Sequence, residues 1–199
     1  MNLDDPTPDD SSSTEDVQLM LRVRGGDIDA FEVLVEKHQH SVVGTVARML
    51  GNPSDAEDIA QQVFIRVWKS AARYEPSAKF TTWLMTITRN LVFNESRRRS
   101  RARVVPLHDE NDDGPAVQHA DPDASSPADD LLDSELREAV DAAISELPEK
   151  HRLAIVLRRY ENMAYEEIAK VLKTSVPAVK SILFRARADL KEKLQRYLG

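Results

Sequence analysis

Apolar positions along this chain recur every three to four residues and almost nowhere alternate, so the pattern predicts helices and no sheet. A first short helix carries Val17, Leu19, Met20 and Val23, with Thr14 as its cap and the Gly25-Gly26 pair as its stop. A longer one follows Asp29 through Phe31, Leu34, Val35, Val42, Val46, Met49 and Leu50 and closes at Gly51. Ser54 and Glu57 have capping-box spacing ahead of a third helix through Ile59, Val63, Val67 and Trp68. Asp55, Glu57 and Asp58 place negative charge in its first turn, where the helix dipole favours it. A fourth helix begins near Thr81 or Thr82, carries Trp83, Leu84, Ile87, Leu91 and Val92, and dissolves into Arg97-Arg98-Arg99.

The periodicity then lapses. Residues 104–130 hold four prolines, repeated aspartates and no periodic apolar positions, which is the composition of a flexible linker. Fully stretched, that segment spans roughly 90 Å. Helical spacing returns from Leu131 with Leu136, Val140, Ile144 and Leu147, and Pro148 opens another helix through Leu153, Ile155, Val156 and Leu157. Next, the stripe Ile168, Ala169, Val171 and Leu172 stops at Lys173-Thr174-Ser175, and a new one begins at Val176, Val179, Ile182, Leu183, Ala186 and Leu190. Ser175 can cap the second of these helices, and Pro177 falls in its first turn, where a missing N–H costs no internal bond. This is helix-turn-helix spacing. The outward positions Lys180, Ser181, Arg185 and Arg187 suit a major groove and its phosphates.

The formal net charge of −7 argues against a nucleic-acid ligand only until it is divided along the chain. Residues 1–16 carry −6, 17–103 carry +5, 104–135 carry −10 and 136–199 carry +4. Two basic modules are thus separated by an acidic strip, and with screening over about 8 Å each module presents its own field. No cysteine is present, which excludes disulfides and thiolate chemistry. The acidic, polar start, residues 1–14, reads as a disordered tail and not as a signal peptide, and no apolar run approaches a membrane span, so no membrane insertion and a cytoplasmic location are expected. His38 lies near an apolar stripe, and His108 and His119 fall in the linker, so neither a metal site, a cofactor nor an enzymatic activity is expected. The expected fold is all-α: two small helical domains, residues 15–103 and 131–199, joined by the acidic linker, the second holding the helix-turn-helix.

Three stretches, DAEDIAQQVFIRVWK at 55–69, KFTTWLMTITRNLVFNESRRR at 79–99 and the LPEKHR…YEEIA…VKSILFRAR series at 147–187, together resemble the extracytoplasmic-function sigma factors of bacterial RNA polymerase. The resemblance implies a protein that binds core polymerase, reads the minus-35 duplex and opens the minus-10 element. It implies that Asp55, Asp58, Gln61, Gln62 and Phe64 dock on the clamp of the largest subunit, and that the second domain meets the flap of the second-largest subunit. Gln62 stands where the family often has Glu. The minus-10 residues would be Tyr74, Lys79, Phe80, Trp83, Arg89, Asn90, Asn94, Arg97 and Arg98. That set combines stacking groups, amides and cations, the chemistry needed to hold an unpaired strand. The minus-35 residues would be Ser175, Lys180, Ser181, Arg185 and Arg187; Ile182 replaces a common family arginine. An anti-sigma partner is also implied, as is a path for the acidic linker through the RNA channel.

On spacing alone Phe64 and Trp68 serve equally well as core, Trp83 shares its stripe with Ile87 and Leu91, and the arginine run reads equally as a solvated helix end. The rival function is a helix-turn-helix regulator whose first half senses a signal or dimerises.

Overall fold

The computed structural model describes residues 10–104 and 127–195, and among them every regular element is helical. The order is α1 Asp10–Arg24, α2 Ile28–Leu50, α3 Pro53–Ser70, a 3₁₀ turn Ala71–Arg73, α4 Phe80–Val104, α5 Pro127–Ser145, α6 Glu149–Arg159, α7 Tyr165–Leu172 and α8 Val176–Lys193. The first four helices pack around Met20, Leu34, Val42, Val46, Val63 and Leu84, and the last four around Leu153, Leu157, Ile168, Val179 and Leu183, all buried. Burying one such side chain stabilises the fold by about 1.5–3 kcal/mol. The two groups are not isolated: α4 packs on α7 and α2 on α5 and α6, so one apolar core runs through both halves.

Several element ends differ from expectation. Helix α1 starts at Asp10, so Thr14 lies in its second turn and the expected tail is partly helical. Asp27, not Asp29, caps α2: its Oδ1 accepts the Ala30 N–H at 3.0 Å, and Asp29 sits in the first turn. Gly51 ends α2 at φ 71°, a left-handed conformation in which its N–H reaches the Ala47 carbonyl at 2.8 Å. Helix α3 begins at Pro53, ahead of Ser54, which moves the anticipated capping box inside the first turn. Helix α4 begins at Phe80 and continues through the arginine run to Val104. Acids support that extension. Glu95 accepts from Arg98 at 2.8 Å and from Arg99 at 2.9 Å, and Arg99 also reaches Asp55 on α3 at 2.6 Å. At the other end of the expected linker, α5 begins at Pro127; residues 105–126, with His108 and His119, lie outside the described residues.

Candidate nucleic-acid interface

The helix-turn-helix is built as its sequence requires. Glu167 accepts the Ala164 N–H at 2.8 Å at the start of α7. Lys173 ends that helix at φ 53°, and Thr174 N–H closes the turn on the Ala169 carbonyl at 2.9 Å. Ser175 accepts the Ala178 N–H at 3.4 Å, which caps α8. Val179, Leu183 and Ala186 then face the core, and Ile182 is half-buried against it. Lys180, Ser181, Arg185 and Arg187 stand exposed on the outward side, the three cations without an acidic partner among the described residues. Two of the expected contacts are modified: Ser175 is occupied as a cap, and the Ser181 hydroxyl donates to the Pro177 carbonyl at 3.1 Å. Between them projects Phe184, 75% exposed, an aromatic outside the apolar stripe of α8.

A second cationic surface follows α4. Asn94, Arg97, Arg98 and Arg101 line a shallow groove, and Asn90 is exposed one turn earlier. Arg89 donates to the Asn90 side-chain oxygen at 2.8 Å while its guanidinium lies 5.0 Å from the Phe93 ring centre. Arg98 is clamped by both oxygens of Glu95, and the hydrogen bonds from Arg98 and Arg99 hold that carboxyl down at about 2. Arg97 and Arg101 are therefore the cations of this groove with no acidic partner among the described residues, and Arg101 is not among the residues expected from the sequence.

The loop that precedes α4 differs most from its sequence reading. Tyr74 and Phe80, expected to stack on a base, are 1% and 0% exposed. With half-buried Trp83 they form an aromatic box, Tyr74 lying edge-on 5.1 Å from Trp83 and Phe80 6.1 Å from it. Burial pushes the Tyr74 phenol up, with a smaller contribution from the Asp16 charge. The surface above the box belongs instead to Pro76, Ser77, Ala78 and Lys79, which with Ser13, Thr14 and Val17 line a small cleft. Lys79 pairs with Glu167 of α7 at 3.3 Å.

On α3, Asp58, Gln61 and Gln62 are exposed, whereas Phe64 is 8% exposed and part of the core. Asp55 is engaged by Arg99. The apolar groups on the exposed side are Ile65 and Trp68, the latter packed 5.1 Å from Phe31. Helical spacing places them with Asp58, Gln61 and Gln62 on one face. His38 is a buried partner of Asp16, and among the described residues no cluster of His, Asp or Glu has the geometry to hold a metal ion. Among them, too, no helix is long and apolar enough to cross a membrane.

Among the described residues all regular structure is helical, and a capped helix-turn-helix with a separate strip of amides and arginines has the build of a DNA-binding protein. Comparison with known proteins narrows this. Residues 34–102 match Sigma-70 region 2 and residues 137–190 match Sigma-70, region 4. The chain is 35% identical over 188 residues to the RNA polymerase sigma-H factor of Pseudomonas aeruginosa, covering 92% of this chain and 96% of that one. It is 34% identical over 190 residues to the ECF RNA polymerase sigma-E factor of Escherichia coli, with 93% and 97% covered. Among solved structures, CnrH in complex with the cytosolic domain of CnrY aligns with a TM-score of 0.66 at 27% identity over 92% of this chain and 98% of that one. The sigma factor RpoE in complex with the anti-sigma factor NepR from Bartonella quintana shares the fold, with a TM-score of 0.66 at 21% identity over 83% and 96%.

The chain belongs to the sigma-70 family, as an extracytoplasmic-function sigma factor. It directs promoter-specific initiation by bacterial RNA polymerase, and the reading as a regulator with an amino-terminal sensing domain is not favoured, because that half is region 2.

Proposed function

We propose a division of this activity among particular residues. Residues 15–103 bind core polymerase and open the minus-10 element; residues 131–199 read the minus-35 duplex. The observation that carries the assignment is the α8 face, where Lys180, Arg185 and Arg187 stand exposed around Phe184. In duplex DNA those cations meet phosphates and base edges, and the phenyl ring suits a thymine methyl. Ser175 acts through its cap and Ser181 through a hydroxyl shared with Pro177.

On the opened strand, Asn90 and Asn94 supply amides, and Arg97, Arg98 and Arg101 supply cations, Arg98 after release from Glu95. Lys79 and the cleft at residues 76–79 receive the unpaired base, with Tyr74, Phe80 and Trp83 as the rigid floor beneath it and Arg89 bracing Asn90. The clamp-binding face is Asp58, Gln61 and Gln62 with Ile65 and Trp68; Phe64 supports it from within, and Asp55 fixes the arginine end of α4. The second domain docks on the flap. The protein works in the cytoplasm, uses no cofactor and performs no catalysis of its own. An anti-sigma protein is an expected partner; the Bartonella RpoE is in complex with the anti-sigma factor NepR.

The test is reconstitution with core polymerase on a cognate promoter. DNase protection at minus-35 that is lost in the Lys180→Ala/Arg185→Ala variant, with permanganate reactivity at minus-10 that is lost in Asn90→Ala, is the expected result. Protection independent of α8 overturns the assignment.

A further inference from the structure

No residue of α1 enters the assignments above, yet this helix forms one wall of the cleft given to the unpaired base. Pro76, Ser77, Ala78 and Lys79 line the cleft from the loop before α4, and Ser13, Thr14 and Val17 line it from α1. Ser13 and Val17 are four residues apart, so they stand one above the other on one face of the helix. The loop alone makes one side of a groove, and α1 supplies the other. Together they bound about 300 Å³, at the small end of the range for ligand sites.

Helix α1 is fixed against both ends of that loop. At the near end, Arg24 in the last turn of α1 donates to the Tyr74 carbonyl at 3.3 Å. At the far end, Asp16 is 2% exposed and pairs at 2.9 Å with His38, whose ring lies 5.2 Å from that of Phe80. The second wall is therefore in place before a base arrives, and capture need not order it.

The lining groups define what the cleft can hold. The Lys79 ammonium only donates, and it has three N–H groups, of which the contact with Glu167 at 3.3 Å uses one. A base beside it must offer an acceptor. The Ser13 hydroxyl is half-buried, has no hydrogen-bond partner among the described residues and can donate to a second acceptor. Val17, also half-buried, adds a branched apolar surface of the kind that suits a methyl group. Thymine alone among the four bases carries two carbonyl acceptors and a methyl.

We propose that α1 is part of the base-reading site, and that Ser13 and Val17 act with Lys79 to select a thymine in the opened strand. Ser13 donates to a ring carbonyl, and Val17 packs on the C5 methyl. The proposal rests on the reading of this cleft as the receptor for an unpaired base. It makes the first helix a determinant of promoter choice and not only a support for the core.

The test uses the full chain bound to core polymerase and premelted promoters that differ at one nucleotide of the opened strand. An abasic scan with wild type and Lys79→Ala locates the captured position, where the loss caused by removing the base shrinks in the variant. At that position wild type is expected to prefer thymine over uracil about fourfold, the effect of one buried methyl. Val17→Ala is expected to bring that ratio close to one. Ser13→Ala is expected to lower the ratio of thymine to abasic affinity about fivefold, the loss of one neutral hydrogen bond, and Ser13→Thr, which keeps the hydroxyl, to retain most of it. Each ratio compares two DNAs on one protein, so a loss of folded protein cancels. Either ratio unchanged in its alanine variant, or a wild-type preference for another base at this position, overturns the proposal. A scan in which no position depends on Lys79 refutes instead the cleft as a base receptor, and with it the site that α1 completes.

Discussion

Nε2 of His38, on α2, lies 2.9 Å from a carboxylate oxygen of Asp16, on α1, and both side chains are almost fully buried. The ionised carboxylate can only accept, so the ring carries its proton on Nε2. Lys37 approaches the other oxygen at 2.7 Å. The His38 ring in turn lies 5.2 Å from that of Phe80, so this pair braces the aromatic box beneath the loop at residues 76–79.

Removing Asp16 strips a buried partner from two donors. Asp16→Ala is expected to cost about 3–5 kcal/mol, read from urea unfolding at neutral pH. Burial alone would raise the Asp16 carboxyl, but hydrogen bonds from His38 and Lys37 outweigh it and hold it below its ordinary 3.8. A depressed carboxyl contributes its stability in full above that ordinary value and loses it as pH falls through the folded one. The wild type should therefore lose more stability than Asp16→Ala on acidification from neutrality to below 3.8. Parallel acid curves would show that the pair is not the titrating unit.

The clamp-facing helix separates packing from docking. Phe64→Ala truncates a core side chain and is expected to cost about 3–5 kcal/mol in stability. Trp68→Ala with Asp58→Ala leaves the buried core of α3 in place, so helical circular dichroism should stay near wild type and the thermal midpoint should fall less than in Phe64→Ala, while affinity for core polymerase falls at least tenfold, as for an aromatic anchor. Undiminished affinity in that double variant would remove α3 from the interface.

Some of this was legible in the sequence, for identifiable reasons. The helix-turn-helix is encoded locally: Ser175, Pro177 and an interrupted apolar stripe lie within a few residues of the turn they specify. The spacing leaves the cap of α2 open because Asp27 and Asp29 both suit a helix start, and only the Ala30 N–H decides between them. Helix α4 outruns the expected end because Arg99 meets Asp55, a partner 44 residues away. Tyr74 and Phe80 have the composition of a base platform, yet they are covered by α1 and α2, and nothing near them in sequence reports that burial. Phe184 is the reverse case, an apolar residue whose exposure follows from its place on the outward side of α8.

Glu95 restrains the arginine end of α4. With its carboxyl held at about 2 by Arg98 and then Arg99, it stays ionised throughout the physiological range and withholds Arg98 from phosphate. Glu95→Gln is expected to tighten binding of the polymerase complex to premelted promoter DNA. Its salt dependence should steepen by about 0.7–0.9 in log–log slope, one additional phosphate contact. A slope equal to wild type would mean that Arg98 leaves Glu95 freely or never meets DNA.

The final prediction separates reading from opening. Lys180 and Arg185 project from α8 toward duplex, where a good base contact contributes about 1–3 kcal/mol and each neutralised phosphate about 0.9 of salt slope. Replacing both with Ala should weaken minus-35 binding roughly tenfold or more and flatten its salt dependence. Phe184→Ala, which removes an apolar contact and no charge, should reduce affinity with the slope unchanged and relax preference at one base pair. Asn90 acts after binding. Its side chain is exposed on α4 and oriented by Arg89 at 2.8 Å, a geometry suited to one unpaired base edge. Asn90→Ala should leave upstream duplex binding nearly unaltered but depress strand opening, read as permanganate reactivity of promoter thymines, and a premelted promoter should recover the part of the defect due to opening. Arg89→Ala should reproduce the Asn90 defect in milder form, because it removes the group that orients the amide and not the amide itself. Normal opening by Asn90→Ala, or duplex binding indifferent to Lys180 and Arg185, would show that α4 and α8 do not divide the promoter between them.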